Sequence, residues 1–418
     1  MINISYFCIV KRNNIHFYIY LITVLMFFTL PASSQSFDSE KLSEADSSKY
    51  ASMEISLLTC QPHDEVYSLY GHTAIRVTDK NQGIDIAVNW GVFDPSKPYF
   101  VLRFVFGLTD YMMGVLPTNL FLEEYRYYGC GVYQQRLNLT LKEKKALMTT
   151  LQENYLPENR EYRYNFIFDN CTSRARDVIV ESMEGKVAYQ PTEMQRGKRS
   201  FRQLIHWKNH DYPWAAFGND ILLGVQADRN TEISERQFLP EILMADFDSA
   251  VVTKENGERK MLVDSAYWVL KPSSNPLMAM EGFPLSPFAC ALIILFVIIA
   301  ITDYEHFVLH KHSYVIDRVM FFIFGLLGIV LTAMIFSQHP TVRINLQILL
   351  FCPLFLVLAF APKQWKNGYN VALVLLILFF FGNIFQSYAE GMNLLAFSLL
   401  KRIVMSGRIS PIKKIIKK

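Results

Sequence analysis

The sequence predicts an α+β exported domain followed by an all-α bundle of membrane helices. Three observations carry this reading. The 418 residues are 51% hydrophobic, with 32 Phe and 22 Tyr. Residues 286–418 hold 12 basic and 4 acidic residues, whereas residues 1–285 hold 29 and 34. Long apolar runs fill the basic part, and alternating stretches with capped helices fill the part before it. This split excludes a disordered chain, a fibre, a disulfide-rich mini-protein and a purely soluble enzyme. Nucleic acid is not expected as a partner, because the basic residues lie in loops between apolar runs and in the tail.

Residues 1–34 have the layout of an export signal. Lys11 and Arg12 precede the apolar stretch Phe17–Leu30, and Ala32 and Ser34 fit a small-residue cleavage site before Gln35. An uncleaved anchor is the alternative; both deliver the downstream domain outside the cytoplasm. Residues 35–52 are Ser-rich and charged, a linker. Residues 53–285 are long enough to bury a core of their own. Met53–Thr59 is expected as a strand. His72–Thr78 and Ile84–Phe93 alternate as a hairpin around Asn81 and Gly83, with Ile75, Val77, Ile86, Val88 and Trp90 on one face. His72, Ala74, Ala87, Asn89 and Gly91 fall on the other. Val132–Leu139 is a further strand. Thr140 and Glu143 form a capping box that opens a helix to about Asn154. A second helix runs from Cys171 to Glu184 and ends at Gly185. Residues Gln190–Phe217 are expected as surface loops, and Ser273–Pro287, with three prolines, as the join to the membrane part.

Residues 286–405 carry the apolar runs Phe288–Thr302, Val319–Phe336, Ile344–Ala361 and Val371–Phe385. A bilayer core needs about 20 helical residues. With residues 53–285 outside, the loop with Lys311 and Arg318 and the loop with Lys363 and Lys366 are cytoplasmic, as basic loops prefer. The basic tail 406–418 is inside only if Tyr388–Met405, interrupted by Lys401 and Arg402, is a fifth crossing with snorkelling side chains. Four or five membrane helices are therefore expected in the inner membrane.

The helix from Cys171 carries the chemistry. Its apolar stripe is Ala175, Val178, Ile179 and Met183, and Cys171 lies on that stripe at the helix N-terminus. Unpaired N–H groups and the helix dipole there favour a thiolate and stabilise an oxyanion. Asn170 and Thr172, on either side, are the candidates for substrate or oxyanion binding. A thiolate nucleophile needs a His base and an orienting partner. His72, after Gly71, and Asn89, between the small residues Ala87 and Gly91, supply both. Cys60 is the rival nucleophile, although no helix follows it; Cys60 and Cys130 could be a disulfide or free thiols. Cys290 and Cys352 are expected to pack. His306, His310 and His312 are read as solvated charge near lipid heads. No His or Cys spacing indicates a metal, and no cofactor is expected.

The segments Leu57–Arg76 (LLTCQPHDEVYSLYGHTAIR), Val88–Gly91 (VNWG) and Phe168–Ser173 (FDNCTS) together resemble the Lnb N-terminal periplasmic domain. That domain belongs to the permuted NlpC/P60 papain-like group, in which His precedes Cys. The resemblance covers about residues 50–190; His63 is a departure, where a small residue is expected. The polytopic part, with His339-Pro340 before Asn345, resembles the family's membrane half. The resemblance implies a lipoprotein N-acyltransferase, with Cys171 as nucleophile, His72 as base and Asn89 orienting it. Its partners would be membrane phospholipid as acyl donor and lipoproteins as acceptors. A periplasmic cell-wall amidase or endopeptidase, or an inactive membrane-anchored binding protein, are the other readings.

Overall fold

A computed structural model of the chain describes residues 49–63, 68–94, 96, 98–190, 197–273, 283–362 and 365–407. The expected export signal, most of the linker and the tail from residue 408 lie outside these residues, as does most of the expected join.

The first half is built on a seven-stranded antiparallel sheet in the order β10-β5-β1-β2-β3-β4-β6. In chain order its parts are β1 Met53–Cys60, β2 His72–Asp79, β3 Ile84–Val92, the short helix α1 Phe100–Val105, β4 Asp110–Pro117 and α2 Thr118–Tyr128. Then come β5 Val132–Leu137, α3 Leu141–Tyr155, β6 Glu161–Arg163 and α4 Cys171–Glu181. After β7 Lys186–Ala188 come α5 Phe201–Lys208, α6 Pro213–Leu222 and α7 Pro240–Ser249. β8 Val251–Thr253 and β9 Arg259–Met261 join β7 in a small second sheet, and β10 Val263–Leu270 returns to the edge of the first. The fold class is α+β, as expected.

Strand alternation sets two cores. Ile55, Leu57, Ile75, Val77, Val88 and Trp90 face α3, α4 and α7. Leu58, Cys60, Ala74 and Ala87 face α2 through Phe121, Leu122 and Tyr125. The expected capping box is formed: Thr140 accepts from the Glu143 N–H, and Glu143 accepts from the Thr140 N–H at 2.7 Å. The expectation of surface loops over Gln190–Phe217 is corrected. Ser200 caps α5, whose Phe201, Leu204 and Ile205 are buried in a satellite core with Phe238 and Ile242. The polar residues of this stretch mask a helical stripe only two turns long, too short to stand out by period.

In the second half, α8 Pro287–Phe307 and α9 Tyr314–Met334 are apolar 21-residue helices, each long enough to cross a bilayer. The third apolar span, Pro340–Phe360, is interrupted, against the expected continuous run. It consists of a helical turn at Pro340–Arg343, a 3₁₀ turn at Leu346–Leu349 and α10 Leu354–Phe360. α11 Lys366–Gly382 and α12 Met392–Met405 complete the bundle. Gly325 and Gly328 of α9 let the broken segment approach; a Cβ at Gly328 would collide with the Phe351 carbonyl.

The break has a cause. Irregular backbone at membrane depth persists only where protein satisfies its polar groups. Here the Asn345 and Gln347 side chains donate to the carbonyls of Ile221 and Asp220 at the end of α6, both at 2.7 Å. Gln386 donates to the Leu223 carbonyl at 3.1 Å. The N–H groups of Gly224 and Val225 donate to the Thr341 and Ile344 carbonyls, at 2.7 and 2.8 Å. Unwinding frees carbonyls that the first domain uses, and buried amides cap the α6 C-terminus in return. The two halves are thereby clamped together.

The short α12 holds the other surprise. Arg402 does not snorkel. It is fully buried and donates to Asp317 and Glu305, each at 2.7 Å, and to Thr302 at 3.1 Å. His312, expected as solvated, is bonded to Asp317 at 2.7 Å. Two buried carboxylates at the ends of α8 and α9 made burial less costly than reaching for solvent.

Candidate active site

β1 and β2 pair so that Cys60 lies opposite His72. Between them the chain turns through Tyr70 and Gly71. Gly71 has φ +79°, and a Cβ there would lie 2.7 Å from the Cys60 carbonyl, so the turn into His72 demands glycine. β3 pairs with β2 at Ala74 and Asn89, then departs from regular register with β4 between Asn89 and Val92. This irregularity brings Gly91 under the His72 ring. A Cβ on Gly91 would lie 2.6 Å from His72 Cε1, and the Gly91 N–H donates to Asn89 Oδ1 at 3.0 Å. Bulge-like irregularities beside a site re-aim side chains in this way.

α4 brings the thiol to the same place. Asn170 caps it, accepting from the Thr172 and Ser173 N–H groups at 2.9 Å each. Its amide donates to the carbonyls of Phe166, at 3.0 Å, and Phe238, at 2.9 Å. Thr172 Oγ1 lies 3.1 Å from Thr73 Oγ1 and 3.8 Å from Cys171 Sγ. The helix start is thus pinned to the residue after His72, and Cys171 meets the His72 ring in a hydrogen bond. Asn89 bonds the same ring.

The electrostatics lower the thiol and raise the imidazole together. Burial alone would push the Cys171 thiol up. The His72 charge and hydrogen bond, the Thr73 backbone and the Thr172 hydroxyl reverse this and bring it to about 7. For His72, burial disfavours the cation. The Cys171 sulfur, the Glu124 carboxylate and the Asn89 hydrogen bond outweigh it and hold the imidazole above its ordinary value. Cys60 goes the other way: it is fully buried, and desolvation raises its thiol despite a hydrogen bond to Tyr125. Cys171 is half-buried. Of the two thiols near the imidazole, only Cys171 is both reachable and acidified.

The geometry brings Cys171, His72 and Asn89 together. Asn170 and Thr172 stand beside them, with Asn170 capping the helix. The hydrogen-bonding groups of the Asn170 side chain are spent on the cap, and the Thr172 N–H is spent on Asn170, so neither is left for an oxyanion. Among the described residues, the Cys171 N–H donates to no acceptor. Cys60 and Cys130 are free thiols, with Cys130 Sγ 3.2 Å from the Pro62 carbonyl. His63 is buried and stacks on Tyr128 at 4.1 Å. Sequence reasoning missed Glu124 and Thr73; no period relates α2 to His72, and Thr73 reads as an ordinary strand residue.

Residues 41–199 match the Lnb N-terminal periplasmic domain, and residues 279–414 match the Lnb transmembrane domain. The chain belongs to the Lnb family. Membership makes it a membrane protein with a periplasmic N-terminal domain, and points to a lipoprotein-processing enzyme. No curated protein and no solved structure matches the chain.

Proposed function

We propose that this Lnb-family protein is a lipoprotein N-acyltransferase of the inner membrane, working through a thioester on Cys171. The observation that carries the reading is the acidified, half-buried thiol paired with His72 in a domain clamped to membrane helices. Both substrates would be lipids, and the clamp keeps the thiol at a fixed height near them.

In the first half-reaction His72 holds the proton of Cys171 while the thiolate attacks the acyl carbonyl of a phospholipid ester. The Cys171 N–H, at the N-terminus of α4, is the donor we assign to the oxyanion. The tetrahedral intermediate collapses, His72 passes the proton to the departing alkoxide, and a lysophospholipid leaves. In the second, the α-amine of a diacylglyceryl-Cys lipoprotein attacks the thioester. His72 takes the amine proton and the thiolate departs, leaving the chain linked as an amide. Asn89 keeps the ring oriented through both steps.

The bundle is read as five crossings, with α11 and α12 as the last two. The buried Arg402 lets the short α12 cross without exposing its charge. A tag after Lys418 should then read as cytoplasmic; an external tag reduces the count to four.

The deciding experiment incubates the purified protein with phospholipid and no acceptor. One fatty-acyl mass should appear on Cys171, be released by hydroxylamine and move to a lipoprotein amine when acceptor is added. Cleavage of cell-wall peptides without an acyl adduct would replace this reading with the amidase one.

A further inference from the structure

We infer that the segment Tyr99–Leu108, containing α1, is a wedge that dips into the outer leaflet of the bilayer and delivers phospholipid to Cys171. Its outer surface is apolar: Tyr99 is 78%, Leu102 57% and Leu108 39% exposed. Single exposed apolar residues need no explanation, so the argument rests on where these sit.

Three successive carbonyls of the segment bind the loop that leaves the second membrane helix. Phe104 O accepts from the His339 ring at 3.0 Å, Val105 O from Ser337 Oγ at 3.1 Å and Phe106 O from the Gln338 N–H at 2.9 Å. His339 is buried there against the Phe166 ring, 5.1 Å away, and its Nδ1 has no partner. α9 has 21 residues, about 31 Å of helix, enough to span the hydrocarbon alone. Residues 337–339 therefore emerge at the headgroup level, beside Phe336, which is 79% exposed. A segment hydrogen-bonded to that loop lies at the same level. Its one charged residue, Arg103, is tied back to the protein through the Leu108 carbonyl, at 3.1 Å, and Asp110, at 3.6 Å. Among the described side chains, what remains outward is a tyrosine and two leucines, a composition suited to the headgroup–acyl boundary.

The inner side of the wedge leads to the nucleophile. Phe100 stacks on Phe93 at 5.1 Å, Phe93 on Tyr111 at 4.9 Å and Tyr111 on Tyr164 at 4.1 Å. Phe93, Tyr164 and Cys171 pack against one core. An ester lifted at the wedge thus meets an apolar, aromatic wall that continues to the thiol. The delivery half of this inference rests on the acyl-transfer reading; the depth of the wedge does not.

The test uses the full chain in vesicles of phosphatidylethanolamine and phosphatidylglycerol. Leu102→Cys is labelled with bimane in a background of Cys171→Ala, Cys290→Ala and Cys352→Ala, and Lys80→Cys, on the exposed hairpin turn, is the reference. Acyl-chain bromine should quench the Leu102 probe at least twofold, and aqueous iodide should quench it several-fold less than the reference. Iodide quenching equal to the reference, with none from brominated lipid, overturns the wedge. For delivery, Leu102→Glu with native cysteines should form the phospholipid-derived adduct at least tenfold more slowly, with iodoacetamide alkylation of Cys171 unchanged. An unchanged adduct rate, or a parallel loss of alkylation, overturns delivery. A wild-type protein that forms no adduct sinks the acyl-transfer reading, and the probe depth still decides the wedge.

Discussion

Two buried charge clusters occupy opposite ends of this molecule. In the first domain, Cys171 faces His72 beside Asn89. At the far end of the bundle, Arg402 is enclosed by Asp317, Glu305, Thr302 and the Ser313 carbonyl, with His312 bonded to Asp317. The difference lies in what is left unsatisfied. Every bond that Arg402 donates ends on a partner within the fold. Around Cys171 the sulfur is half-buried, its charge is compensated by one imidazole, and the cap has been taken over by Asn170. The candidate site and the structural lock both gather polar groups out of water, and what separates them is whether one partner is held open.

The comparison can be broken most severely at the open end. Cys171→Ala should abolish the acyl adduct and turnover while the protein accumulates normally, and Cys60→Ala should retain activity; mass spectrometry of the adduct checks both. Activity lost with Cys60→Ala in a stable protein would move the nucleophile. At the closed end the effect is on stability. Arg402→Met leaves two buried carboxylates without their cation, a loss of about 3–5 kcal/mol. The Tm in detergent should fall accordingly, and adding Asp317→Leu and Glu305→Gln should recover part of it. A single variant as stable as wild type would show the cluster to be no lock.

Smaller changes sharpen the contrast. Gly91→Ala puts a methyl where the His72 ring sits and should cost about 100-fold in rate, as for a misplaced catalytic group, without the stability loss of Arg402→Met. His72→Gln removes the charge that lowers the thiol, so burial dominates and the Cys171 pKa rises from about 7. Alkylation by iodoacetamide, read against pH, should shift to higher pH, and its rate at pH 7 should fall more than tenfold. A profile that does not move would show that the helix N-terminus, not His72, acidifies the thiol. Asn89→Ala should be mildest, a several-fold drop in rate with the alkylation midpoint moving less than in His72→Gln.

Much of the first domain was legible because its signals are local. Alternation in 72–78 and 84–93 gave both strands and both faces, and Thr140 and Glu143 announced α3. The candidate site residues Cys171, His72 and Asn89, which the fold brings together, were reachable too, since a thiol at a capped helix start and a His after Gly are motif-sized features. Helix α5 was hidden because its apolar stripe is three residues among many polar ones. The commitment of the Asn170 side chain to the cap was not legible, because a sequence does not display which hydrogen bonds a residue spends.

The sequence by itself determined that an exported α+β domain precedes a basic, apolar helical region, and which strand faces are buried. Hydrophobic period and length express those properties within a dozen residues. The tertiary structure decided the rest: that Gly91 lies against the His72 ring, that the third membrane segment unwinds to meet α6, and that Arg402 is enclosed rather than snorkelling. Each depends on groups 19 to 127 positions apart, such as His72 with Gly91 and Asp220 with Gln347. Their pairing is fixed by packing and by the cost of leaving a buried polar group alone, which no local pattern encodes.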